Sequence, residues 1–457
     1  MLDKTRILEL IRTGTREELI TEVILPLLLR VEELEQELRK LKGQNSRNSS
    51  LPPSRDQQKT KQRTNSLRKK SKKKSGGQKG HKGHTLKMHD NPEEIVDYIP
   101  TTCVHCAEDL SQCSPSLVER KQVWDIPPVK LSVTEHRRYK SKCNCCNHWT
   151  SAKYALDMQK GGITRYGDEI KNQITYLAVR QYLPYKRIQE LIEVLYNHKI
   201  SEGTIDNILK TKAFSATDVY QQIIAHIEKS RVVGVDESGC SVQGDKNWAW
   251  TWVTSLYTLI HISDNRGYKT TQSIFPQGFQ NAVLTSDCWR THLKTNAKGH
   301  QICLAHVRRE CQALIQFDKS QWARKLDKVL LHIFHLCSMK RIPINKKLEV
   351  ENQIDLLLSS SLKTSKRPIQ KLKNRLVKYR NNLTVCLYNR KVPPDNNWAE
   401  RAIRMIKLKT KISGTFRSHK GALRFAVLRS VVDSAIKQNI HPFEALNKPH
   451  NILIQPE

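Results

Sequence analysis

Arg231-Val232-Val233-Gly234-Val235-Asp236-Glu237-Ser238-Gly239-Cys240 is the stretch from which the fold can be read. Residues 232–235 predict a short buried strand, because β-branched side chains favour a pleated, covered surface. The strand ends in a carboxylate, Asp236, and Gly239 offers a turn soon after. Residues 248–254 and 256–262 follow as two more strand-like runs, so the segment reads as an antiparallel meander. An acid at the end of a central strand is badly placed for packing and well placed for a metal.

Two later stretches supply partners for it. Residues 281–287 form another apolar strand ending in an acid, Asp287. Residues 395–404 read as a helix start with Asp395 or Asn396 as cap, and Glu400 lies about one turn inside. Two strand-borne acids and one helix-borne acid can converge on a pair of hard divalent ions. Magnesium prefers carboxylate oxygen and keeps several waters. Two such ions about 3.5–4 Å apart stabilise the attacking and leaving oxygens of phosphodiester chemistry. Each acid alone has a plainer reading: a turn former at a strand end, or a favourable partner for a helix dipole. Their order and the basic chain around them carry the weight.

The 233–238 run, Ser286-Asp287, Cys303-Leu304-Ala305-His306-Val307-Arg308-Arg309 and the 394–404 run Pro-Asp-Asn-Asn-Trp-Ala-Glu-Arg-Ala-Ile-Arg together resemble transposases of the insertion-sequence-66 family. The resemblance continues upstream in the 76–84 run Gly-Gly-Gln-Lys-Gly-His-Lys-Gly-His and in the cysteine pairs, and so covers nearly the whole chain. It implies an RNase H-like catalytic fold with an Asp-Asp-Glu triad on Asp236, Asp287 and Glu400. Asp236 is then expected to bridge two magnesium or manganese ions, with Asp287 and Glu400 each holding one. The chain departs from the family pattern at Ser238 and at Cys288-Trp289, none of them a proposed ligand.

With 457 residues there is room for several domains, and a net charge of +34 implies a polyanionic partner, nucleic acid first. The apolar run at 23–29 contains Pro26 and is far too short to span a bilayer. Twelve cysteines without a secretory signal fit a reducing cytoplasm, where paired thiols suit a metal better than a disulfide. The expected location is cytoplasmic, with the nucleoid.

In chain order, 1–43 reads as an N-terminal helix. Leu27, Val31, Leu34, Leu38 and Leu41 fall at alternating four- and three-residue steps, as in a coiled coil, or as in a helix packed on its own domain. Residues 44–90 form a basic linker carrying the Gly/His motif. Its Lys69, Lys70, Lys72, Lys73, Lys74, Lys79 and Lys82 suit phosphate contacts that add affinity rather than sequence choice. Residues 91–155 hold Cys103-Val-His-Cys106 and Cys143-Asn-Cys-Cys146, two thiolate pairs that suit one closed, structural zinc site, with Cys145, His105 and His148 as alternative ligands. The strand-like 131–139 segment would fold back as a ribbon between them.

Residues 160–225 read as helices, either helix-turn-helix-like or an ordinary hairpin, with Glu202 and Asp206 unfavourable toward phosphates. The catalytic core spans 226–316 and 393–440, interrupted by a helical insertion at 317–392, and 441–457 is a C-terminal tail. Cys303 and His306 would support the core, and Arg308, Arg309, Arg401 and Arg404 would meet DNA.

The expectation is therefore a multidomain α+β protein that binds double-stranded DNA, both element ends and target, and cleaves and joins it. A homo-oligomer, accessory proteins of the same element, one structural zinc and two catalytic divalent ions complete it. The rival readings are a DNA-binding regulator without catalysis and a nuclease that cuts without joining.

Overall fold

The computed structural model describes residues 13–42, 80, 86–127, 129–155, 162–362 and 367–453. The Lys69–Lys74 cluster, Lys79 and Lys82 lie outside them. Helix α1 (Leu25–Lys42) continues a short π-helical segment, Leu19–Ile24. The segment with the cysteine pairs contributes β1 (Lys140–Lys142) and β2 (Trp149–Ser151), paired antiparallel. Four helices follow: α2 (Asp168–Val179), α3 (Tyr185–Tyr196), α4 (Glu202–Ser215) and α5 (Thr217–Lys229).

The central sheet is built from β3 (Val232–Val242), β4 (Asp245–Val253), β5 (Thr258–Ser263), β6 (Phe279–Ser286) and β7 (Ala297–Ile302). Its spatial order is β5-β4-β3-β6-β7. The first three strands form the expected meander, whereas β3 pairs parallel with β6, and β6 parallel with β7. Short helices α6 (Tyr268–Ile274) and α7 (Arg290–Lys294) sit in the crossovers.

Strand β3 is longer than its apolar run suggests. Gly239 lies inside it opposite Trp248, and the reversal falls at Gln243 and Gly244, whose φ values are 56° and 91°. Two consecutive residues with positive φ give a tight hairpin whose twist matches the flanking strands. The expected turn at Gly239 is thereby corrected: antiparallel pairing to Trp248 and Asn247 continues the ladder through it.

Alternation along β3 and β6 divides the interior in two. Val233, Val235 and Leu284 join a core with α2–α5. Val232, Val283 and Ile302 join a second core on the opposite face. Period-two exposure to two apolar layers is what a strand covered on both faces requires.

Helix α8 (Leu304–Asp318) leads into the segment expected as an insertion, which is helical: α9 (Gln321–Ser338), α10 (Ile344–Ser359), α11 (Arg367–Lys378) and α12 (Val385–Tyr388). Trp322, Leu326 and Leu330, at four-residue steps along α9, are buried in the second core. The chain then returns as α13 (Asn397–Ser413), α14 (His419–Lys437) and α15 (Pro442–Asn447).

Helix α14 covers the edge of the sheet. Ser430 and Ser434 accept hydrogen bonds from the Ile260 and Thr258 amides of β5 at 2.9 and 3.0 Å. An exposed strand edge would otherwise present unpaired amides to other chains. Arg429 is fully buried on the same helix, where it donates to Asp433 and to the Val179 carbonyl.

Helix α4 buries Ile205, Ile208 and Leu209. Asp206 accepts from Tyr185 at 3.2 Å and from Arg424 at 2.8 Å. Asp206, one of the two acids noticed on this helix, is thus ion-paired to α14 of its own chain. No helix among the described residues is long and apolar enough to cross a membrane.

Candidate functional site

Where the parallel ladder between β3 and β6 ends, at Gly234 opposite Thr285, the two strands part. Asp236 stands two residues beyond that point on β3, and Asp287 directly follows β6. A crevice outside the carboxyl ends of parallel strands is where open α/β sheets place ligands. Asp236 still pairs with Thr251 of β4, so it lies within a strand rather than at its end.

Helix α13 closes the crevice, and Asn396 fixes it there. Asn396 is buried and occupies the cap position, but its side chain makes no capping bond. Instead it donates to the Val235 carbonyl at 2.7 Å and accepts from Thr285 at 3.2 Å. One amide thereby ties β3, β6 and the helix that carries Glu400. Asp395 does the local work, accepting from the Asn397 amide at 3.1 Å.

Trp398 adds a second clamp. Its indole donates to Thr285 at 3.2 Å and lies over Gly234, where a Cβ would come within 2.7 Å of the ring. Gly234 is therefore required by a close approach and not by a turn.

The electrostatics join the three acids. Burial, then the neighbouring charges of Glu237, Asp287 and Glu400, push the Asp236 carboxyl from its ordinary 3.8 up to about 7. Burial also opposes ionisation of Glu400. The hydrogen bond from His306 and the charges of His306, Arg309 and Arg404 more than reverse it and hold Glu400 at about 2. His306 Nε2 stands 3.0 Å from Glu400 Oε1, while Arg404 and Arg309 stand 2.8 and 3.6 Å from Oε2. One acid of the set is reluctant to ionise alone and another is held ionised. That combination favours adding positive charge between them.

Glu237 was not singled out by the sequence reading, yet its carboxylate is almost fully buried and doubly paired. It is paired with buried His292 at 2.7 Å and with Arg266 at 2.9 Å. Burial raises its pKa, but these partners outweigh the burial and lower it. His292 is raised in return by Glu237, against its own burial, so the two form an ionised internal pair. His292 also stands 3.9 Å from Asp287. The Arg266 guanidinium lies between Trp248 and Trp289, 4.6 and 4.0 Å from the ring centroids. The Trp289 amide donates to Asp287 at 2.9 Å. This network ties Asp287 to Glu237, the residue that follows Asp236, through His292.

Cys303 is buried against the start of α13 and its sulfur accepts the Asn396 amide at 3.2 Å. Burial, reinforced by Glu400, pushes its thiol up to about 12. Cys303, His306 and Glu400 offer donor atoms all within 4.8 Å of one another, the one such cluster among the described residues. Neither the three acids nor the four module thiols form so tight a set.

Arg308 departs from expectation. It is buried and donates to Asp327 at 2.8 Å, tying α8 to α9, so it faces the protein rather than DNA. Its Nε is committed to the Asp327 carboxylate, and its guanidinium carbon lies 5.9 Å from the Phe334 ring centroid inside the second core. Arg309 is bound to the Glu400 group, and Arg401 and Arg404 are exposed on α13.

The zinc module consists of two like turns. The Ala107 amide donates to the Cys103 carbonyl and the Asn147 amide to the Cys143 carbonyl, both at 2.9 Å. Ala107 and Asn147 both have positive φ, 61° and 63°. Each turn sits in a small hairpin, one closed by the Thr102–Asp109 bridge and the other by β1 and β2. The 131–139 segment is not a strand; pairing begins at Lys140, immediately beside the second cysteine pair. Backbone amides of His105 and Cys106 lower the Cys103 thiol, and those of Cys146 and Cys145 lower Cys143. Amides aimed at sulfur favour the thiolate that zinc requires.

Comparison with known proteins adds three matches. The model of the transposase IS66 family covers residues 164–424. That of the zinc-finger binding domain of transposase IS66 covers 93–147. A family of unknown function covers 9–87. No curated protein matches the chain.

Proposed function

The chain belongs to the transposase IS66 family and carries that family's zinc finger, and from this premise we propose that it cuts insertion-sequence ends and joins them to target DNA with an Asp236–Asp287–Glu400 triad. The sheet order β5-β4-β3-β6-β7, with three antiparallel strands followed by two parallel ones, supports an RNase H-like core for that chemistry. The observation that carries the reading is the state of Asp236. A carboxyl held at about 7 by burial and then by the charges of Glu237, Asp287 and Glu400 is poised for a cation.

Asp236, Asp287 and Glu400 would hold two magnesium or manganese ions. Bound there, the ions supply activation of water or a 3′ hydroxyl and neutralisation of the leaving oxygen. Glu400 enters already ionised, and His292 with Glu237 keeps the Asp287 side of the crevice in place. Arg401 and Arg404 on α13 draw the phosphate backbone toward the acids, and Lys69, Lys70, Lys72, Lys73, Lys74, Lys79 and Lys82 add unspecific attraction. Cys103, Cys106, Cys143 and Cys146 would hold the zinc; a closed four-thiolate site leaves no open position, so it orders the module rather than reacting.

Labelled element ends incubated with magnesium and target plasmid test the proposal. Wild type should give cleaved 3′ ends that become joined to target, and Glu400→Gln should lose both products while retaining DNA binding. Cleaved ends that never join would point to a nuclease. Binding without cleavage in wild type would leave a DNA-binding regulator.

A further inference from the structure

Cys303, His306 and Glu400 form a set of donors that the proposed chemistry uses only in part. Cys303 caps α8 and His306 lies in its first turn. Residues three apart on a helix share a face, so the sulfur and the ring come to one side. Glu400 reaches the same point from the first turn of α13. Its Oε1 stands 3.0 Å from His306 Nε2, and one donor atom of each residue lies within 4.8 Å of the other two. The frame around them is held by the backbone. The Cys303 amide donates to the Ser286 carbonyl at 2.7 Å, and the Leu304 amide to the Pro394 carbonyl at 2.9 Å. The Asn396 amide donates to the Cys303 sulfur at 3.2 Å. The end of β6 and the starts of α8 and α13 are thereby pinned together around the three donors. Cys303 is almost wholly buried, whereas the His306 side chain is 22% exposed, so the set opens to water on the histidine side.

We propose that this set binds one thiophilic divalent cation of the zinc class, and that filling it withdraws Glu400 from Asp236 and Asp287. The ligands are Cys303 Sγ, His306 Nε2 and Glu400 Oε1, with a fourth position left for water on the histidine side. Zinc holds sulfur, nitrogen and oxygen ligands roughly 3.3–3.6 Å apart, so the present spread asks for shifts of about 1 Å. Cys303 gives its proton to solvent as the sulfur–metal bond forms. The Asn396 amide aimed at the sulfur favours the thiolate. Charge and ligand type select the ion. Arg404 and Arg309 stand 2.8 and 3.6 Å from Glu400 Oε2 and oppose a cation beside it. A thiolate and a carboxylate together neutralise a divalent ion, and thiolate is a zinc ligand rather than a magnesium ligand. Magnesium demands an octahedron of oxygens, which these three side chains do not supply. With three protein ligands and two guanidinium groups nearby, the site is weaker than the four module thiols. It fills only when zinc is added beyond one per chain. Binding of the ion is independent of the chemistry proposed for the acids; its inhibitory effect rests on that reading.

Cobalt(II) added to full-length protein that already carries one zinc per chain tests the site, because cobalt binds such ligands less tightly than zinc and leaves the module filled. Wild type should take up one further cobalt, with the visible absorption of a four-coordinate ion and a near-ultraviolet thiolate-to-cobalt band. Cys303→Ala should remove that band. His306→Gln, on the more open side, and Glu400→Gln should each weaken cobalt binding at least tenfold. Cys311→Ala removes another buried thiol of α8 and should leave band and affinity unchanged. Zinc should displace the cobalt, and a large excess of magnesium should not. In the joining assay, added zinc should abolish the magnesium-supported products, and chelation of the excess should restore them. No further cobalt in wild type, a six-coordinate spectrum without the thiolate band, or a band that survives Cys303→Ala would each overturn the site. Products indifferent to zinc in a protein that shows the band would overturn the inhibition. The band in a protein that forms no products at all would support the site and contradict the transposition chemistry instead.

Discussion

Replacing Asp236 by Asn should stabilise the metal-free protein at alkaline pH while destroying its proposed activity. The folded Asp236 carboxyl titrates near 7 instead of 3.8. At about 1.4 kcal/mol per tenfold change in proton affinity, its ionisation costs the folded state about 4 kcal/mol. The side chain is partly open to water, so screening reduces that figure, and about 2 kcal/mol is the expected net cost. The sign follows from proton counting. Between pH 4 and 7 the folded chain keeps a proton that the unfolded chain has lost, so wild-type stability falls as pH rises through that window. Above it the penalty is constant. Asn cannot ionise and escapes the penalty. Thermal melts in chelator should therefore place Asp236→Asn about 3 °C above wild type at pH 8, with the gap closing at pH 4. Added magnesium should stabilise wild type and leave the variant unmoved. A variant melting at or below wild type at pH 8 would refute the crowding of acids on which the argument rests.

Gly234→Ala should destabilise the protein by about 1–3 kcal/mol, because the new methyl meets the Trp398 indole; combining it with Trp398→Leu should recover part of the loss in the same melts. Asn396→Ala should cost about 2–3 kcal/mol by leaving the Val235 carbonyl without its partner, and protease cleavage near α13 should speed up. Metal analysis should find one zinc per chain in wild type and less than half of that in Cys106→Ser or Cys146→Ser. The melting of the sheet-containing core should be unaltered in both, since the two cysteine turns lie in their own small hairpins.

Much of this was legible in the sequence because it depends on periodicity and spacing. The meander and the second acid-bearing strand follow from apolar, β-branched runs, the Glu400 helix from its Asp-Asn cap, and the helical insertion from apolar residues near helical spacing. The cysteine pairs announce their turns. What escaped depends on contacts between distant segments. Asn396 reads locally as a helix cap, and only the docking of α13 on two strand ends reveals it as a bridge between them. Gly239 looks like a turn until the partner strand carries the ladder past it. Glu237, Arg266 and His292 lie 55 residues apart at the extremes, and no local pattern joins them. Arg308 and Arg309 look alike in sequence; one points into α9 and the other toward Glu400 because the helix turns by about 100° between neighbours.

Divalent-ion binding is the most direct test of the central claim. Manganese titrated into full-length protein and followed by electron paramagnetic resonance should reveal strong sites in wild type. Asp236→Asn, Asp287→Asn and Glu400→Gln should each lose at least one, with the zinc content unchanged. Equal manganese affinity and stoichiometry in wild type and Glu400→Gln would contradict the account, because the helix-borne acid would then have no share in holding the ions.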